Sequence, residues 1–228
     1  MTNEVFVKEM KTLVKTHGGV NNPFLKKFSE GNLSNFELER FAIEFFHLVR
    51  EFPILLGTLL AHTSDEKVAT EITNILISEF GNSNPNHRHE LQYRKFLISL
   101  MIDPIKLRSH EPLSTTKAYL EGVNDLFKNK DPFVSLGAHF VLESISLPIW
   151  NQITPGLKIL KEKCFSQTDI TFFTFHRDLE IVHEEAMNNI LSMPIDFDIQ
   201  ESICIGAKTY LDLLEQFWLG LDDKNNKK

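Results

Sequence analysis

His176-Arg177-Asp178-Leu179-Glu180-Ile181-Val182-His183 sets a histidine, a glutamate and a second histidine four and then three residues apart in a helical run. At about 100° per residue the three positions fall within roughly 60° of each other on the helix surface, so two imidazoles and a carboxylate face one way. Nitrogen from imidazole with oxygen from carboxylate suits iron, manganese or zinc. A solvent-facing helix with coincidental spacing explains the pattern equally well, so the rest of the chain must decide.

Two further places bear on it. Glu143 lies in Gly137-Ala138-His139-Phe140-Val141-Leu142-Glu143-Ser144-Ile145-Ser146-Leu147-Pro148, which is almost wholly apolar or small. A carboxylate buried there needs a cation, a hydrogen-bond network or a proton. A salt bridge or a surface stripe is the alternative reading. Glu79 closes the apolar run 72–80, ahead of Gly81-Asn82-Ser83-Asn84-Pro85-Asn86 and then His87-Arg88-His89-Glu90-Leu91. The Gly, Asn and Pro cluster reads as helix stop, turn and restart, which lets a carboxylate at one helix end meet a histidine at the start of the next. His89 shares its inward spacing with Tyr93, Phe96 and Leu97, whereas His87 lies in the loop, so His89 is the preferred donor and His87 the alternative.

Glu79, His89, Glu143, His176, Glu180 and His183 together resemble the six-ligand set of the haem-oxygenase-like di-iron oxidases, relatives of the TenA, PqqC and CADD proteins. The likeness runs over nearly the whole chain, from Phe52-Pro53 through Glu79-Phe80-Gly81 and Asn84-Pro85 to the final triple. It implies an all-α fold, a compact bundle of about seven core helices, two Fe(II) ions and dioxygen as co-substrate, with manganese or a mixed Fe/Mn pair as the other metal options. It also implies a small-molecule substrate, amino-acid-like or fatty-acid-like or from an aromatic-cofactor precursor pathway. A homodimer and an external electron donor complete the expectation. Glu180 stands where many relatives carry Asp. Leu25, Phe41, Phe45 and Phe46 stand where some CADD-like members carry tyrosine, which argues against a product made from the chain's own ring. Two other readings share the scaffold or abandon its chemistry. One is a TenA-like hydrolase with a cysteine nucleophile, or a metal-free PqqC-like oxidase. The other is a non-enzymatic interaction protein with a vestigial site.

With 228 residues, 42% hydrophobic content and a net charge of −7, the chain can bury one substantial core, and a single domain over 1–228 is expected. The acidic balance offers no basic stripe for phosphates, which excludes nucleic acid as the expected partner. No uninterrupted apolar run approaches the roughly twenty residues of a membrane span, and Met1-Thr2-Asn3-Glu4-Val5 lacks the order of a signal peptide, so the expected address is cytoplasmic. Cys164 and Cys204 form neither a metal-thiolate spacing nor a disulfide framework. Nineteen phenylalanines against three tyrosines favour a dry interior, in which a few rings wall a cavity beside the ligands.

Periodicity predicts helices over 5–15, 23–29, 35–60, 66–80, 87–101, 114–127, 132–147, 148–164, 169–191 and 199–221. Ser34, Ser64 and Asp131 read as caps, the last before a proline at the first turn. Pro53 predicts a kink or break, and the tail 222–228 is expected to fray. The resemblance, in whose members this helix borders the substrate cavity, makes Phe45, Phe46, Phe52 and Leu56 candidate substrate-binding residues, although ordinary packing is the plainer reading of each. Tyr93 and His139 are candidates to support the ligands from behind, although a packed tyrosine with a surface hydroxyl is the plainer reading of Tyr93. His47, His62, His17 and His110 have no partner pattern and read as satisfied core or solvent-facing residues. Asp178, Glu184 and Glu185 read as a solvated face.

Overall fold

Helix initiation follows local chemistry in the computed structural model, which describes residues 2–163, 166–179 and 196–222, with side chains throughout except at 177–179. The elements are α1 (Asn3–Thr16), α2 (Pro23–Ser29), α3 (Asn35–His62), α4 (Glu66–Glu79), α5 (His89–Ser99), α6 (Ser114–Phe127), α7 (Pro132–Lys163), α8 (Thr171–Leu179) and α9 (Phe197–Leu221), with short 3-10 turns at Pro85–His87 and Lys106–Ser109. Among the described residues there is no strand. Ser34 opens α3 with a complete capping box, its hydroxyl accepting from the Glu37 amide while the Glu37 carboxylate accepts from the Ser34 amide. Asp131 accepts from the Phe133 amide. The cap of α4 is Asp65 rather than Ser64, because its carboxylate reaches two amides, those of Lys67 and Val68.

Helix α7 departs from expectation. A join at Leu147 and Pro148 was predicted; instead one helix of 32 residues passes through both Pro148 and Pro155. Each interior proline costs on the order of 3 kcal/mol, and packing along the whole length of α7 offsets that. A Cβ on Gly137 would lie 2.0 Å from the Ile203 carbonyl oxygen, and one on Gly206 1.9 Å from that of Val134, so α7 and α9 cross backbone to backbone. The Gln152 side chain also donates to the carbonyls of Pro148 and Val20. Likewise α3 runs unbroken through Pro53. Helix α5 starts at His89, with His87 in the preceding 3-10 turn. Helix α8 starts at Thr171, and the part of the predicted helix beyond Leu179 lies outside the described residues, as do Cys164, Glu184, Glu185 and the tail from 223.

By length and mean hydropathy (1.3 over its most apolar window) α7 is the one described helix that passes the test for a membrane span, and 67% of that window is buried inside the bundle. The core helix of a bundle has this composition because it is covered on all sides. Leu113, which precedes α6, carries no capping side chain; Glu44 of α3 supplies one, its buried carboxylate accepting from the Leu113 amide and the Thr116 hydroxyl. That tie fixes α6 against α3 and so sets one wall of the central cavity.

Candidate metal centre

The turn after α4 brings two of the predicted ligands together. Gly81, Asn82 and Ser83 have φ of 88°, 50° and 72°, three left-handed residues in succession, and a Cβ on Gly81 would meet the Asn84 carbonyl oxygen at 2.2 Å. Only a glycine followed by a turn-tolerant residue reverses the chain so tightly. The reversal places Glu79, last in α4, beside His89, first in α5, with Glu79 Oε1 2.7 Å from His89 Nδ1. His176 of α8 completes the group, its Nε2 3.0 Å from His89 Nδ1. All three side chains are buried, and their donor atoms lie within 4.8 Å of one another.

The protons are ordered for ligation. The Phe172 carbonyl 2.7 Å from His176 Nδ1 can only accept, so Nδ1 carries the hydrogen and Nε2 turns its lone pair toward the cluster. Burial, aided by the neighbouring His89, lowers the His176 pKa to about 3, so this imidazole stays neutral at any physiological pH. Metal–nitrogen bonds of about 2.1 Å at right angles put neighbouring donors about 3 Å apart. The observed 2.7 and 3.0 Å separations match that spacing, and three buried N and O donors converging without a counter-cation are what a divalent ion would satisfy.

Glu143 stands in the wall of the same cavity, on α7, with His139 Nε2 3.5 Å from its Oε1. His139 is buried, and among the described residues neither of its ring nitrogens has a hydrogen-bond partner, so it faces Glu143 at ion-pair range. Glu180 and His183 lie outside the described residues. His87 is exposed and its Nε2 lies 3.3 Å from the Asn84 amide nitrogen, away from the cluster.

The cavity encloses about 140 Å³. Phe45 and Phe52 line it; Phe46 and Leu56 do not, since both point into the packed core and are fully buried. Tyr93 does not carry its hydroxyl to the surface. It is fully buried and donates to the Ala42 carbonyl at 3.1 Å, while its ring packs against Phe45, Phe96 and Phe172. Burial raises the Tyr93 pKa well above 10. Its role is to seat the start of α5 against α3. His47 is not a satisfied core histidine, because both of its nitrogens are buried without a partner.

Tyr119, Tyr210, Trp150 and Ser78 also line the cavity, and reading the sequence for ligand patterns passes over them. A signal was present. A chain with nineteen phenylalanines uses tyrosine only three times, and all three are buried, where the hydroxyl must earn its place through a bond. Cys204, a candidate nucleophile for a hydrolase, is exposed on α9 and outside the cavity wall. Its thiol pKa is raised by burial of the sulfur and by Glu9 and Glu201, which makes it a poor thiolate.

Comparisons with known proteins agree with this architecture. A family described as iron-containing redox enzymes matches residues 39–215. The chain is 24% identical over 221 residues to a 4-chloro-allylglycine synthase of Streptantibioticus cattleyicolor, covering 95% of this chain and 82% of that protein. It is 25% identical over 199 residues to a 4-aminobenzoate synthase of Chlamydia pneumoniae, covering 87% of this chain and 86% of that protein. A CADD-like protein of Nostoc punctiforme shares the fold, with a TM-score of 0.79 at 18% identity over 96% of each chain.

Proposed function

This chain belongs to the iron-containing redox enzyme family, and from that premise we propose that it holds two ferrous ions and uses dioxygen to oxidise a small metabolite inside its central cavity. The observation that carries the reading is the meeting of Glu79, His89 and His176, from three different helices, as buried donors about 3 Å apart at the wall that also presents Glu143. These four side chains, with Glu180 and His183, would hold the metals. Two ferrous ions supply the electrons that make dioxygen reactive toward a carbon–hydrogen bond or a nitrogen.

The chain's own residues do the remainder. The hydrogen bond from His176 Nδ1 to the Phe172 carbonyl fixes the ring so that Nε2 faces inward. Phe45, Phe52, Phe172 and Trp150 surround the donors with aromatic surface, which keeps water from competing with substrate. The enclosed space admits a small molecule. The two chlorinated-amino-acid and aminobenzoate synthases are relatives whose names place them in small-molecule biosynthesis, which supports the same class of substrate here.

Anaerobic titration of the purified protein with ferrous ion tests the reading. Two equivalents should bind, and mixing with dioxygen should give a transient visible absorbance. Uptake of no iron, or of one equivalent with no response to oxygen, rejects it. A cysteine-dependent hydrolase predicts instead that activity survives Glu143→Ala and is lost on alkylation; the position and raised pKa of Cys204 speak against that for this thiol.

A further inference from the structure

The cavity wall presents hydrogen-bond donors for which the described residues show no receiving atom. Tyr119 of α6 and Tyr210 of α9 meet hydroxyl to hydroxyl at 2.7 Å, both buried. Two hydroxyls bring two hydrogens, the bond between them uses one, and among the described residues no other atom receives the second. Trp150 Nε1 and Ser78 Oγ, in the same wall, are buried with no hydrogen-bond partner among the described residues. Each unspent donor costs about 1–3 kcal/mol when nothing replaces its water. The carboxylates in the wall, Glu79 and Glu143, are assigned to the metals. Phenylalanine at 119 and 210 would pack as well without that cost, and this chain uses phenylalanine freely elsewhere.

We propose that the Tyr119–Tyr210 pair is the polar recognition element of the cavity, donating a hydrogen bond to an oxygen acceptor on a small ligand whose body is otherwise apolar. Resting on the proposed reading of the site as a substrate cavity, this narrows the substrate class: an oxygen-bearing small molecule is accepted, and one whose only polar group is an ammonium is refused, because an ammonium has no lone pair for the tyrosine hydrogen and the carboxylates that could pair with it, Glu79 and Glu143, are assigned to the metals. The pair keeps its hydrogens, since burial pushes Tyr119 up to about 12 and raises Tyr210 as well. Trp150 Nε1 offers a further donor to the same ligand. Size follows from volume: about 140 Å³ is close to the roughly 150 Å³ apolar cavity that admits benzene, so the ligand's body is of the order of one six-membered ring.

The test uses three probes of equal size, cyclohexanone, methylcyclohexane and cyclohexylammonium, titrated calorimetrically into the metal-free protein and the protein loaded with Zn(II). Binding is then read without turnover, so a failed iron titration and a failed preference are separate results. Cyclohexanone should bind about tenfold tighter than methylcyclohexane, the worth of one good hydrogen bond, and in the Zn(II)-loaded protein, where the metal occupies Glu79 and Glu143, cyclohexylammonium should bind weakest. In Tyr119→Phe/Tyr210→Phe the ratio of the first two should fall to about one. A purely structural role for the pair would weaken both neutral probes alike and leave their ratio intact. An equal affinity in the unmodified protein, a ratio that survives the double substitution, or tight binding of the ammonium to the Zn(II)-loaded protein overturns the proposal. The single Tyr119→Phe and Tyr210→Phe variants carry the same test where the double variant unfolds, at least one of them being required to lower the ratio.

Discussion

Glu79, His89 and His176 at the cavity, and His17, Asp212 and Glu215 near the α1–α2 turn, are both built from imidazoles and carboxylates, and in each group the donor atoms lie within 4.8 Å of one another. What differs is where the lone pairs go. His17 Nδ1 accepts the Gly19 amide at 3.1 Å, so its Nε2 carries the hydrogen toward Asp212 at 3.2 Å, and both nitrogens are spent. His176 spends only Nδ1 and keeps Nε2 for the cluster. Asp212 is exposed and Glu215 half-buried, so water screens and satisfies them, whereas Glu79 has only its neighbours. Composition and proximity are therefore shared by the two groups; burial and the direction of the free lone pair set them apart.

The contrast can be broken most sharply at His89. In the metal-free protein His89→Leu should destabilise by about 3–5 kcal/mol, because it strands the buried Glu79 carboxylate; chemical denaturation measures it, and a loss below about 1 kcal/mol would show that Glu79 has other support. Next comes ligand-linked stability. Ferrous ion at about 100 times its dissociation constant should add about 2.7 kcal/mol, seen as an anaerobic thermal shift. That gain should vanish in His176→Ala and persist in His17→Ala; its loss in both would put the metal elsewhere.

A third environment sharpens the comparison. His47 on α3 is as buried as His176 but has no converging donors, and burial, then Arg50 and His110, lowers its pKa to about 4. The unfolded chain takes up this proton near pH 6.5 and the folded one only near 4, so the folded state loses stability as pH falls through that window. His47→Leu should flatten the slope of stability against pH between 6.5 and 4; an unchanged slope would assign it to other groups. The smallest effect belongs to the surface group, where Asp212→Asn should change stability by no more than about 1 kcal/mol in the same denaturation assay.

Much of this was legible in order along the chain. The stop, turn and restart at Gly81-Asn82-Ser83-Asn84-Pro85 announced that Glu79 and His89 would face each other, because left-handed residues reverse the backbone over a fixed short distance. The inward phase of His89 with Tyr93 separated it from His87 for the same reason, as α5 begins at His89. The continuity of α7 was not legible, since local propensity at Pro148 and Pro155 opposes it and the compensation comes from α9 and α2, distant in sequence. That Phe45 and Phe52 reach the cavity while Phe46 and Leu56 pack in the core was not legible, because one helix face presents a broad apolar arc, and which part of it meets empty space depends on neighbours from other helices.

Short-range rules acting along the backbone thus determined which segments are helices, where most begin, and which residue types could bind a metal. Tertiary structure alone decided which donors converge, that the Tyr119 hydroxyl meets that of Tyr210 across 91 positions, and which wall stays open. The physical reason is that capping and periodicity act within a few residues. Burial and the orientation of a lone pair or an unspent hydrogen are set by side chains that become neighbours only when the helices pack.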